Sequence, residues 1–375
     1  MLRYLTAGES HGKALSAILD GIPAGLALNE EIINIDLARR MAGYGRGARM
    51  AIEKDKAEIT AGIRHGKTIG SPIGLIIWNK DYKIDELPDV LNPRPGHADL
   101  SGILKYDFDD ARSVLERASA RSTAAIVAVG AIAKLLLSQY GIKFFSHVTM
   151  LGGITADVEH ISFDGISVMA ERSSLRCVDS DAEKRMKILI DDAKENGDTL
   201  GGVFEVVALG LPVGLGSYSQ WDERLDGAIA RAVMAIQAVK AVSIGDGIIN
   251  ADKPGSRTHD AIYYNEDSKQ YFRKTNRAGG LEGGITNGEP LIVSGFMKPI
   301  ATLMKPLESV NIKTKEKSFS ATERADVTAV PACAVIAEAA IAIEVASIFL
   351  KKFGGDSVSE IQRNYTGYLN RLKEK

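Results

Sequence analysis

Apolar residues run almost without interruption through two stretches of the chain, 120–137 (ARSTAAIVAVGAIAKLLL) and 329–350 (AVPACAVIAEAAIAIEVASIFL). A third stretch, 224–242 (RLDGAIARAVMAIQAVKAV), is alanine-rich in the same way. A helix that is apolar nearly all round is buried on several sides, and alanine lets such helices pack closely. Shorter segments around them read as strands: 3–7, 57–63 (AEITAGI), 72–78 (PIGLIIW), 142–150 and 203–209, punctuated by Gly66, Gly70 and Pro72. Asn29 before Glu30 and Glu31 predicts a helix start, with the helix running to about Met41. Residues 182–196 read as a polar surface helix and 357–374 as an exposed, charged one. Two long irregular stretches are predicted, 79–102 with its three prolines and the glycine- and asparagine-rich 245–290.

Buried helices flanked by strand segments imply helices in the middle and sheets outside, the reverse of a doubly wound fold. No linker or short tandem repeat breaks the chain, so one compact unit spanning 1–375 is expected. Arg117-Ala118 precedes the first apolar helix and Arg324-Ala325 the third. That echo suggests a two-fold pseudo-symmetric core, although buried alanine-rich helices also resemble one another for bland reasons.

Composition narrows the picture. The chain has 375 residues, formal net charge −2, 45 % hydrophobic and 25 % charged residues, as in an ordinary globular protein. The absence of a basic excess argues against nucleic acid, as does the 6 % aromatic content. Pro331, Glu338 and Glu344 within the most apolar stretch argue against a membrane span. The N-terminus, MLRYLTAGESHG, lacks the apolar run of a signal peptide, so a cytoplasmic protein is expected. Cys177 and Cys333 suggest neither a disulfide framework nor a zinc site, and structural roles are expected for both.

The candidate chemistry lies in six small-residue stretches that each carry arginine or histidine. They are GESHG (8–12), RRMAGYGRGARM (39–50), RPGHADLSG (94–102), ERASARSTAA (116–125), NRAGGLEGGITNG (276–288) and ERADVTAVPA (323–332). Glycine permits close backbone approach, and arginine adds forked, permanently charged donors. The combination predicts loops around a small, strongly anionic ligand. The glycine run after Arg40 is no dinucleotide fingerprint, because it follows a helix with the wrong spacing. Arg39, Arg40, Arg46 and Arg49 also fit a solvated basic turn paired with Glu53 and Asp55. Arg121 and Arg324 abut apolar helices, where an unpaired cation is costly. Arg117 and Ser119 stand near a helix N-terminus, a natural phosphate seat. Of six histidines, His11 and His97 sit in glycine-framed loops suited to proton transfer. His65 reads as a turn residue, His147 as structural on a strand, and His160 and His259 as surface or loop residues. Asp326 reads as a helix N-terminal carboxylate. No HxH, HExxH or CxxC spacing indicates a metal.

These motifs, with RYLTAGESHG, AIQAVKAVSIGDG and KPIATL, resemble the chorismate synthase family in order and over nearly the whole chain. Met41 stands where many members have glutamine and Ala118 where many have serine; neither change removes a charge. The resemblance implies an α+β fold. It would be a β-α-β sandwich with the alanine-rich helices between outer antiparallel sheets, internal pseudo-two-fold symmetry and a homotetrameric assembly. It implies a lyase that converts 5-enolpyruvylshikimate 3-phosphate to chorismate and phosphate by 1,4-anti elimination. Reduced flavin mononucleotide (FMN) would be required, supplied by an external flavin reductase.

Carried over by residue, the resemblance places His11 beside the substrate phosphate and His97 near the flavin pyrimidine edge. Asp326 would stand near flavin N5. The implied substrate cage is Ser10, Arg40, Arg46, Arg49, Arg94, Arg121 and Arg324. The implied flavin contacts are Arg117, Ala118, Ser119, Gln237, Ala238, Gly283, Lys298, Pro299, Ile300, Ala301, Thr302 and Arg324. Other readings are a bifunctional form that also reduces FMN with NADPH, in which Arg40 and Arg46 touch the nucleotide, a flavin oxidoreductase with net electron transfer, and a non-enzymatic RNA-binding protein.

Overall fold

The computed structural model describes residues 2–47, 54–267, 269–323 and 325–374. The segments predicted as strands pair into two antiparallel sheets. The first has the order β1 (Arg3–Ala7), β2 (Ala14–Asp20), β6 (Ile73–Trp78) and β3 (Ala57–Ala61). The second runs β10 (Val239–Ile244), β15 (Leu291–Met297), β9 (Gly202–Leu209), β7 (Lys143–Leu151) and β8 (Ile154–Thr155). Four two-stranded ladders complete the strands: β4 (Ile63–Arg64) with β5 (Lys67–Thr68), β11 (Ile262–Asn265) with β12 (Gln270–Arg273), β13 (Leu281–Glu282) with β14 (Ile285–Thr286), and β16 (Glu308–Val310) with β17 (Lys317–Phe319).

The helices are α1 (Glu30–Met41), α2 (Asp99–Tyr106), α3 (Arg112–Ala118), α4 (Thr123–Ser138), α5 (Phe163–Arg172), α6 (Ser180–Glu195), α7 (Leu225–Met234), α8 (Gly247–Asn250), α9 (Val330–Phe353) and α10 (Val358–Lys373). Asn29 caps α1, its side-chain oxygen accepting from the Ile32 amide at 3.2 Å. Pro331 occupies the first turn of α9, where its missing N–H costs no hydrogen bond. Alternate residues of β2 and β6, among them Leu15, Leu19, Ile73, Leu75 and Ile77, are buried and face the core. β9 is buried on both faces, because α5 covers its far side through Ile166 and Ala170. That is why residues 203–209 read as a nearly unbroken apolar run.

The helices α4 and α9 are the two apolar stretches singled out in the sequence. Both are long and apolar enough to cross a membrane, and both are mostly buried inside the fold. Helix α4 packs against α9, α1 and the strands β2 and β6; α9 packs against β7, β9 and β15. Their crossing is tight. A Cβ added at Gly130 of α4 falls 2.3 Å from Ala339 Cβ of α9. Alanine is the better helix former by about 1 kcal/mol, yet Gly130→Ala is expected to lower stability by ~1–3 kcal/mol in urea unfolding, because the helices must separate. Gly367 in α10 has nothing within 4 Å of its added Cβ, so Gly367→Ala serves as the control and is expected to stabilise slightly.

Three sequence expectations are corrected. The stretch 224–242 is not one helix: α7 ends at Met234, Ala238 takes φ +67°, and the β-branched run VKAVSI becomes β10. The loop predicted for 79–102 ends at Ala98, since α2 begins at Asp99. The stretch 245–290 contains the β11–β12 hairpin and the β13–β14 ladder. His65 does sit at a hairpin turn, between β4 and β5 with φ +51°. His147 is buried on β7 with Nε2 3.0 Å from Glu205. Both cysteines are buried.

Candidate active site

Five of the six segments rich in arginine or histidine and small residues end on one cavity of about 550 Å³, and 276–288 does not reach it. The turn between β1 and β2 brings Ser10 and His11, and the last turn of α1 with its following loop brings Arg40 and Arg46. The stretch before α2 contributes Arg94 and His97. The junction of α3 and α4 contributes Ala118, Ser119 and Arg121. Gln237 and Ala238 enter just before β10, Lys298, Ile300, Ala301 and Thr302 just after β15, and Asp326 just before α9. Leu115, Ala329, Ala332, Cys333 and Ile336 form an apolar floor. Burial pushes the Cys333 thiol up to about 12, so it lines the wall as an uncharged side chain.

The guanidiniums are held rather than solvated. Arg40 donates to Thr123 Oγ1 at 3.0 Å and to the Ala120 carbonyl at 3.0 Å, and lies 3.4 Å from Asp55. Arg121 pairs with the other oxygen of Asp55 at 2.5 Å and donates twice to Asn79 Oδ1, at 2.9 and 2.7 Å. Asp55 is therefore the shared, fully buried counter-ion of two arginines, not a partner in a solvated turn. Burial, aided by the neighbouring Arg46 and Arg121 and opposed by Asp55, pushes Arg40 down to about 10. A site that strains a cation in this way gains free energy when an anion enters. Arg46 meets Asp326 at 2.8 Å, and the Gly47 amide donates to the same carboxylate at 2.6 Å.

Each cavity histidine rests on a buried carboxylate. His97 Nδ1 is 2.5 Å from Asp99, which also accepts from Arg94 Nε at 2.8 Å and from the Arg94 amide at 3.0 Å. Burial alone would raise the Asp99 carboxyl; the ring of His97 and the guanidinium of Arg94 hold it well below the usual range. His11 Nδ1 is 2.9 Å from Glu116, held low by hydrogen bonds from His11 against the opposing effect of burial. Burial, and then Lys240, lower the Lys298 ammonium, whose Nζ donates to the Gly96 carbonyl at 3.0 Å.

Some sequence-predicted residues lie elsewhere. Arg117 is in the last turn of α3, does not line the cavity and donates to the carbonyls of Gly8 and Thr6, while Ser119 caps the turn that leads into α4. Gly283 sits at the turn of the β13–β14 ladder, with open space at its Cβ position, and Pro299 does not line the cavity. Arg49 and Arg324 lie outside the described residues. Sequence reasoning gave no site role to Asp55, Asn79, Asp99, Glu116 and Thr123. Asp99, Glu116 and Thr123 stand inside the quoted motifs, but nothing in a linear motif distinguishes a carboxylate that braces a histidine from one that meets water.

The chorismate synthase family model matches residues 2–350. The chain belongs to the chorismate synthase family. The chorismate synthase of Geobacter metallireducens is 53 % identical, with 100 % of both chains covered. That of Streptococcus uberis is 50 % identical over 99 % of this chain and 100 % of its own. A crystal structure of a chorismate synthase superposes with TM-score 0.83 at 44 % identity, covering 100 % of this chain and 99 % of the other. Chorismate synthases are lyases of the last common step of the shikimate pathway, and this chain is an enzyme of that kind. The cavity carries arginines and imidazoles over an apolar floor.

Proposed function

We propose that the cavity binds 5-enolpyruvylshikimate 3-phosphate beside reduced FMN and releases chorismate and phosphate by 1,4-anti elimination. The observation that carries this reading is the convergence of Arg40, Arg46, Arg94 and Arg121 with two carboxylate-backed imidazoles in one cavity. A phosphate and two carboxylates on the substrate match that donor set. The residues also fit a flavin. The apolar floor of Leu115, Ala329, Ala332 and Ile336 suits a flat ring. Ser119, Gln237, Lys298 and Thr302 supply polar partners at its margin. When bound, reduced flavin supplies transient electron density to a bond-breaking step that no adjacent carbonyl assists.

The chain's own groups bind, orient and move protons. Arg40, Arg46, Arg94 and Arg121, with Ser10, fix the substrate's anionic groups. His11 holds a proton for the departing phosphate oxygen, and His97 controls the proton at the flavin edge. Asp326, braced by Arg46 and the Gly47 amide, orients the side where the C–H bond breaks. Arg49 and Arg324, outside the described residues, belong to this reading only through the family resemblance.

The reduced flavin comes from a separate reductase. Arg40 and Arg46, which a nicotinamide nucleotide would need, face the same cavity and are engaged by Asp55 and Asp326. The chain acts as one domain: a continuous apolar core runs from Leu2 to Tyr365. Its layers are sheet, helices, sheet, with α4 and α9 as the pseudo-symmetric pair. Exposed apolar residues such as Leu5, Ile18 and Trp78 on the first sheet favour assembly in a homotetramer.

The test is anaerobic mixing with dithionite-reduced FMN and 5-enolpyruvylshikimate 3-phosphate, following chorismate absorbance and the flavin spectrum together. Many turnovers, with the flavin spectrum ending as it began, are expected. Net flavin oxidation in proportion to product would overturn the elimination. His11→Ala is expected to lower kcat by about a hundredfold with flavin binding intact.

A further inference from the structure

Glu116, buried behind the cavity histidine His11, has no part in the roles proposed above. Glu116 stands on α3, and its carboxylate is fully buried. Both oxygens face the same residue: Oε1 and Oε2 lie 2.9 and 3.0 Å from His11 Nδ1, and Oε2 accepts the His11 amide at 2.7 Å. The Glu116 carbonyl also accepts the Ser10 amide at 3.0 Å. One helical residue thus fixes the backbone and the ring of the β1–β2 turn. The nearest cation is Arg112, 3.5 Å away and shared with Glu323.

We propose that Glu116 is a positioning residue for phosphate release. It acts through His11, and the inference rests on the reading of His11 given above. An ionised carboxylate only accepts, so the ring must carry hydrogen on Nδ1. That assigns Nε2 as the nitrogen that exchanges a proton with the substrate, the division of labour seen when a buried carboxylate orients a catalytic imidazole. Nε2 lies 4.0 Å from Asp81, on the opposite side of the ring from Glu116. In the step, the C–O bond to phosphate breaks and its electron pair leaves with the phosphate oxygen. The Nε2 proton passes to that oxygen, and Glu116 stays ionised throughout.

The experiment is a double-mutant cycle of Glu116→Gln and His11→Ala, read as kcat, KM and flavin affinity under anaerobic conditions. Glu116→Gln alone should lower kcat by about tenfold or more while KM and flavin affinity hold. In the His11→Ala background the same substitution should cost almost nothing, because the group it serves is gone. An equal loss in both backgrounds would reveal a merely structural role, and unchanged kcat in Glu116→Gln would likewise overturn the proposal. Normal turnover in His11→Ala would instead remove the parent reading. Should Glu116→Gln not fold, Glu116→Asp, which withdraws the carboxylate by one methylene, is tested by the same cycle and judged by the same two outcomes.

Discussion

Arg121→Ala is expected to lower kcat/KM by about a thousandfold, mainly through substrate affinity. Two charge-assisted hydrogen bonds to a substrate anion are worth ~3–6 kcal/mol together, and each 1.36 kcal/mol or so is a factor of ten. The environment of Arg121 enlarges the loss. Arg121 is 5 % exposed and its guanidinium neutralises Asp55, which Arg40 reaches only at 3.4 Å. Without Arg121 a buried carboxylate competes with the substrate for Arg40. Arg121 also grips Asn79, whose amide donates to the Gly12 carbonyl at 2.7 Å, so the turn carrying His11 loses a support. Lysine is no remedy, because a single ammonium cannot bridge Asp55 and Asn79 while presenting a donor to the cavity. Arg3→Ala, which breaks an exposed pair with Asp20, is the control and should be neutral. Steady-state kinetics with direct titration of substrate will decide; an Arg121→Ala enzyme within tenfold of the parent would remove this arginine from the cage.

The second large effect concerns stability. Glu338 is fully buried in the middle of α9. It accepts from Arg39 at 2.9 and 2.7 Å, from Lys134 at 3.1 Å and from Ser146 Oγ at 2.6 Å, with Arg176 at 3.6 Å. Breaking a buried ionic cluster from one side leaves uncompensated charge, so Glu338→Gln is expected to cost ~3–5 kcal/mol in urea unfolding. The cluster also dictates an acid response. Burial raises the Glu338 carboxyl, but Lys134 and Arg39 outweigh it and hold it well below its ordinary value. Glu171, which pairs with Arg39 and Arg176, is likewise held down, to about 2 from 4.5. A carboxyl depressed on folding contributes its full stability above the unfolded value and loses it as pH falls through the folded one. Stability should therefore be level above about pH 5 and decline toward pH 2, and Glu338→Gln should flatten that decline. Glu171 is partly exposed, and solvent screening makes its share the smaller one. An unchanged acid profile in Glu338→Gln would assign the decline to other carboxylates.

Much of this protein was legible in one dimension. Apolar runs located α4, α9 and the strand β6, because burial imposes a local pattern on consecutive residues; β2 was not read from the sequence. The small-residue loops marked where arginines and histidines gather, since close backbone approach and dense cationic charge require particular residue types wherever they stand. Their resemblance to the chorismate synthases is carried by the sequence alone. The tertiary structure decided what depends on distance across the chain. It ended α7 at Met234, where an alanine with positive φ and pairing with β15 override a helical-looking run. It left Arg117 and Gly283 off the cavity lining while admitting Ala118 and Ser119. It also brought Asp55 between Arg40 and Arg121, and Glu116 beneath His11, 105 residues away. A carboxylate acquires such a role only when folding removes water from it and supplies a cation or an imidazole, and neither condition is written in its neighbours along the chain.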